Sequence, residues 1–193
     1  MRVLVEPSGH VIRNIGDAAM TIIALERLSY LWPGARIQVL TDEPDRLPRH
    51  GPNVEPLITT GRKLWLHRPW VQERRTRLNR PLVSLLRRVR ILLRRYHPEM
   101  AYRALRRWGG LSVEETAQLA TFFEAISEAD LLVVTGMGGL TSVFAPFAFE
   151  LLEVVNCVQR LGAKTVMLGQ GLGPIDIEEL GRAASKILRR LIC

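Results

Sequence analysis

The sequence predicts an α/β fold, a doubly wound parallel sheet carrying one basic helical insertion. Three observations lead there. Short Val/Leu-rich runs alternate with longer stretches of helical spacing, which is the order of a parallel sheet with crossover helices. Unusual loops, two of them glycine-rich, follow three of the short runs. A middle segment breaks the alternation and holds nearly all of the excess positive charge. At 193 residues the chain can bury one substantial core, so a single domain over 1–193 with an insertion at about 62–109 is expected.

The elements follow in order. "RVLVE" (2–6) reads as a buried strand ended by Pro7-Ser8-Gly9. Asp17 suits the N-cap of the next helix, whose apolar positions Met20, Ile23, Ala24 and Leu28 recur at three and four. That helix should stop before Trp32-Pro33-Gly34. "ARIQVL" (35–40) is the second strand and "VEPLIT" (54–59) a weaker third. After the insertion, "SVEETAQLATFFEAISEA" (112–129) opens with Ser112 and Glu115 at the spacing of a capping box, predicting a helix. "DLLVVT" (130–135) is a strand, "GMGGLTSVF" a loop, and "PFAFELLEVVNCVQRLG" (146–162) a helix ending at Gly162. "AKTVMLG" (163–169), "QGLGPI" and "DIEELGRAASKILRRL" complete the pattern as strand, loop and helix.

Composition narrows the class. Hydrophobic residues make up 47% of the chain, as a folded globular protein requires. No apolar run approaches the ~20 residues of a membrane span, and the start lacks the pattern of a signal peptide. Cys157 and Cys193 match no metal-ligand spacing, so no metal and a reducing, cytoplasmic compartment are expected. The four histidines are scattered, and no nucleophile–base pair or paired carboxylate shows in the spacing, so no catalytic residue is assigned.

The net charge of +8 is local. From Arg62 to Arg107 there are fifteen Lys/Arg against Glu73 and Glu99, a net +13, which leaves −5 for the rest. Within this segment "LVSLLRRVRILLRRY" (82–96) forms a basic amphipathic helix: Leu82, Leu85, Leu86, Val89, Leu92, Leu93 and Tyr96 share one face, with Arg87, Arg88, Arg90, Arg94 and Arg95 largely opposite. Two readings stand. The apolar face packs on the domain with arginines in solvent, or Leu85, Leu86, Arg87, Arg88, Arg94 and Arg95 contact an anionic membrane, with tryptophans nearby as anchors and a peripheral position at the inner membrane face. Nucleic acid is the weakest partner, because no known binding module surrounds the charge.

The loops sit where ligands bind in open parallel sheets, beyond the carboxyl ends of the strands. "VIRNIGDAAM" (11–20) places Asn14, Gly16 and Asp17 after the first strand, and these serve equally as ordinary turn and cap residues. "TGMGGLTS" and "LGQGLGPI" follow two later strands. "GMGG" lacks the spacing of the dinucleotide fingerprint G-x-G-x-x-G.

Together "NIGDAAM", "ADLLVVTGMGG" and "VMLGQGLGPI" resemble the polysaccharide pyruvyl transferase family over about 1–60 and 112–193. Met137 stands where that family's segment has a third glycine, and "LTSVF" lacks its following Asp. The resemblance implies a Rossmann-like half of a glycosyltransferase-B-like fold. It implies transfer of a pyruvyl group, as a ketal, from phosphoenolpyruvate as donor substrate, with no cofactor, to a sugar of a cell-surface or exopolysaccharide precursor, polymeric or lipid-linked. By the same likeness Asn14, Gly16, Asp17, Gly136, Gly138, Gly139, Gln170, Gly171 and Gly173 line the substrate cleft. The family continues into a second domain that holds most donor-binding residues, so this chain resembles an N-terminal half, incomplete alone or partnered by a separate C-terminal half. The alternatives are a non-catalytic membrane- or partner-binding domain and half of a sugar-nucleotide-dependent glycosyltransferase.

Overall fold

A computed structural model describes residues 1–7, 9–11, 15–47, 53–70, 80–136 and 138–191. The chain divides into two compact units, one formed by 1–59 with 125–193 and the other by 60–124.

The first unit is a five-stranded, all-parallel sheet flanked by helices, a Rossmann-like doubly wound fold. Strands β1 (Arg2–Glu6), β2 (Arg36–Thr41), β3 (Val54–Ile58), β4 (Leu131–Thr135) and β5 (Lys164–Leu168) lie in the order β3-β2-β1-β4-β5. Val3 pairs with Ile37 on one side and Leu131 on the other, so β1 is the centre. Helix α1 (Ile15–Leu31) lays Leu25 and Leu28 on Val3, Val5, Ile37, Val39, Leu131 and Val133. The alternate residues Leu4, Leu132 and Val134 are buried as well, which is why these strands read as unbroken apolar runs. Toward the end of the chain lie α6 (Ala145–Arg160), against β5 and α7, and α7 (Glu178–Leu188). The stretch Ser142–Arg160 has the length and hydropathy of a membrane span, but half of it is buried, with Leu151, Leu152, Val154, Val155 and Val158 in the core.

Two details of α1 differ from the sequence reading. The helix begins at Ile15, so Asp17 lies inside the first turn rather than at the cap, still suited to the positive end of the helix. Its buried face is Thr21, Ala24, Leu25 and Leu28, while Met20 and Ile23 are exposed. Counting from Met20 set the stripe one position early, because Thr21 reads as polar and is buried for its hydrogen bond, described below.

The second unit is helical: α2 (Thr60–His67), α3 (Arg80–Tyr96), α4 (Pro98–Trp108) and most of α5 (Val113–Ser127). It exceeds the expected 62–109 because α5 belongs largely to its core. Phe123 of α5 stacks on Tyr102 at 4.1 Å and meets Trp65 at 5.7 Å, and Gly61 admits the α5 backbone so closely that a Cβ there would overlap the Gln118 carbonyl. The capping box forms as spaced: Glu115 N–H donates to Ser112 Oγ at 3.1 Å, and Ser112 N–H to Glu115 Oε2 at 2.9 Å. Ser112→Ala is expected to lower stability by about 1 kcal/mol in urea titration.

Helix α3 spans the expected segment and, of the two orientations considered, does not pack its apolar face on the domain. Arg94, 4% exposed, donates through Nη1 to the carbonyls of Trp65 (2.6 Å) and Leu66 (2.5 Å), and Arg90 Nη1 to that of Arg68 (2.7 Å). The two arginines, one turn apart, satisfy carbonyls at the C-terminal end of α2, where a helix leaves acceptors unpaired and favours a cation. Leu85, Val89, Leu92 and Tyr96 are exposed instead, and Leu86 is half-buried. Arg94 therefore does not share the exposed surface with Arg87, Arg88 and Arg95. Trp65 and Trp70 are buried, leaving Trp108 as the exposed tryptophan of the described part of this unit.

Candidate functional site

The strand order reverses between β1 and β4, and the crevice beyond their carboxyl ends is where such sheets bind ligands. At this edge the apolar strands end in polar residues. Glu6 closes β1, Thr41 closes β2, Thr59 follows β3 and Thr135 closes β4, each at most 1% exposed. Buried polar groups persist where partners are provided, and here the partners tie the loops together.

Glu6 and His10 form the central pair. His10 Nε2 lies 2.9 Å from Glu6 Oε1, with the imidazole side chain 14% exposed and the carboxylate fully buried. The His10 carbonyl accepts from Asp42 N–H at 2.8 Å and from Thr41 Oγ1 at 3.3 Å, pinning the loop after β1 to the end of β2. Thr59 Oγ1 donates to Asp42 Oδ1. On the other side, Thr21 Oγ1 of α1 and Thr135 Oγ1 of β4 share a hydrogen bond of 3.3 Å.

The loops after β4 and β5 are joined to each other. Leu140 and Leu172 form a parallel bridge. Thr141 Oγ1 and Ser142 N–H both donate to the Pro174 carbonyl, at 3.1 and 3.0 Å. Ser142 Oγ accepts from Asp176 N–H (2.7 Å) and Ile177 N–H (3.2 Å). The chain turns out of β5 at Gly169, whose φ of +62° is the left-handed conformation glycine favours.

The residues expected to line the cleft separate into groups. Gly136 is buried against the carbonyls of Leu168 and Gly169, and the half-buried Gly173 packs against Thr141, where a Cβ would meet the Thr141 Cβ at 2.9 Å. These two glycines permit close approach of the protein to itself. Gly139 is also buried, whereas Gly138 and Gly171 are exposed, with open space beside Gly138. Gln170 is half-buried and its Nε2 donates to the Gly171 carbonyl at 3.4 Å. Gly16 and Asp17 lie in the first turn of α1, and Gly9 of the preceding loop sits beside the Asp17 carboxylate. Asn14 and Met137 lie outside the described residues, as does Cys193. Among the described residues no three His, Cys, Asp or Glu side chains converge as a metal would need.

The sequence reading passed over Glu6, His10 and the threonines. Their signal lies in the sequence: "VLVE", "VLT" and "VVT" each end a buried run on a polar residue, and a carboxylate closing a buried strand requires a partner. No protein-family model matches the chain, and neither curated proteins nor solved structures give a significant match.

Proposed function

We propose that this edge binds the sugar acceptor of a pyruvyl-transfer reaction, with phosphoenolpyruvate as donor and a polysaccharide or lipid-linked sugar as acceptor. The observation that carries the reading is the Glu6–His10 pair, which lies at the carboxyl end of the central strand β1, in the first of the three loops on which the family resemblance rests. With Glu6 ionised, its carboxylate accepts from His10 Nε2–H and fixes the ring's tautomer, leaving Nδ1 to take a proton. In the reaction, one sugar hydroxyl gives its proton to His10 as its oxygen bonds to C2 of phosphoenolpyruvate, and C3 takes a proton from water. Phosphate then leaves C2 as a neighbouring hydroxyl adds and gives its proton to the departing phosphate, so that the ketal and inorganic phosphate form and His10 returns its proton to water.

Binding is the first readout. Hexopyranosides with two neighbouring free hydroxyls should raise the unfolding temperature; a hundredfold excess over the dissociation constant is worth about 2.7 kcal/mol, or roughly 5–10 °C for a chain of this size. His10→Gln keeps a donor for Glu6 but removes the base, so binding should persist while phosphate release from phosphoenolpyruvate falls about 10²–10⁴-fold. Protection by a nucleotide sugar, and not by hexopyranosides or phosphoenolpyruvate, would replace this reading with a glycosyltransferase. Protection by none of these, with His10→Gln altering stability alone, would leave the non-catalytic alternative.

A further inference from the structure

Helix α3 turns its most apolar row to solvent. Leu85, Val89, Leu92 and Tyr96, spaced four, three and four apart, share one side of a helix with about 100° per residue. All four are exposed, Leu85 at 55% and Leu92 at 52%. A domain helix ordinarily buries such a row. Here Arg90 and Arg94 hold the opposite side against the carbonyls of α2, so turning the leucines inward would strip those bonds from a buried guanidinium.

The surroundings of the row are cationic. Arg88 and Arg95 lie beside it by helical spacing, and Arg87 is exposed further round. Helix α4, packed on α3, exposes Met100, Arg103, Arg106, Arg107 and Trp108. Against these six exposed arginines, the described side chains of the two helices offer one acid, Glu99.

We infer that the outer face of α3, with α4 beside it, docks on an anionic membrane surface. Leucine, valine and tyrosine enter the boundary between headgroups and acyl chains, and the arginines pair with lipid phosphates, as in helices that lie in the interface plane. This pattern fits a lipid surface better than the other occupants. A second copy of the chain would oppose arginine to arginine across the contact. A nucleic acid would neutralise the arginines and leave the leucines in water. The inference does not depend on the reading of the sheet edge.

The test is sedimentation of the protein with vesicles of phosphatidylglycerol and phosphatidylcholine, compared with phosphatidylcholine alone. The expected result is binding to the anionic vesicles, release at high salt, and a loss of roughly tenfold or more for Leu92→Asp. Leu92 is exposed, so the fold should survive this change, which circular dichroism checks. If Leu92→Asp does not fold, the double variant Arg88→Ser/Arg95→Ser carries the test, with a roughly tenfold or greater loss expected from two arginines at an anionic surface. Failure to bind anionic vesicles at low salt would overturn the inference. So would equal binding to phosphatidylcholine, or retention of full binding by the variant that folds. A dimer in solution that Leu92→Asp converts to monomer, without vesicle binding, would assign the face to a second copy instead.

Discussion

Gly136→Ala is expected to lower the stability of the sheet unit by about 3 kcal/mol or more, seen as an earlier midpoint in urea titration with little change in slope. The added methyl would overlap the backbone carbonyls of Leu168 and Gly169, where β4 and β5 end side by side. Backbone cannot rotate away as a side chain can, so relief needs a shift of one strand end against its neighbour. Gly138→Ala is the matched control. Gly138 is exposed, with nothing near its missing Cβ and no positive φ, so stability should stay within about 0.5 kcal/mol of wild type. The pair separates two roles that a shared motif merges. A ligand defect in Gly138→Ala with intact folding would mark the loop as a binding element, whereas a stable Gly136→Ala would contradict the close approach of the two strand ends.

Arg94→Met is expected to cost about 2–4 kcal/mol. Methionine keeps much of the apolar stem but withdraws the donors from the carbonyls of Trp65 and Leu66, and a buried acceptor left without a partner costs about 1–3 kcal/mol. Arg88→Met, on the exposed side of the same helix, should change stability by less than about 0.5 kcal/mol. Equal, small effects for the two substitutions would show that Arg94 sits in solvent and that α3 is rotated from the orientation described.

These two positions also show where sequence patterns carry structural information and where they stop. Periodicity found β1, β2, β4, β5, α5, α6 and α7 to within a few residues, because their apolar runs are long and their stops are local: Gly162, for instance, ends α6 with a φ of +103°. The loops of the edge were legible for the same reason. The rotation of α3 was not, because a helical pattern says which side is apolar and not which side meets the fold. That choice is made by carbonyls 28 and 29 residues earlier in the chain, which no local window contains. The Glu6–His10 pair was hidden differently. Both residues are local, but only the burial of β1 at the centre of the sheet turns the carboxylate into a group that must be matched.

The central position of β1 also sets an order of events in folding. Its pairing with β2 joins segments 34 residues apart, as Arg2 opposite Arg36 shows, whereas the Arg2–Asp130 contact on its other edge closes a separation of 128 residues. Between these partners lies 60–124, whose contacts are mostly its own and whose helices can form early. Forming it first roughly halves the disordered chain to be closed, which relieves only about 0.6 kcal/mol of entropy. The approach of β4 should therefore remain the slow step. Until it arrives, the open edge of "VLV" is the segment most able to pair with another copy, so refolding yield should fall with rising protein concentration even where the finished protein is stable.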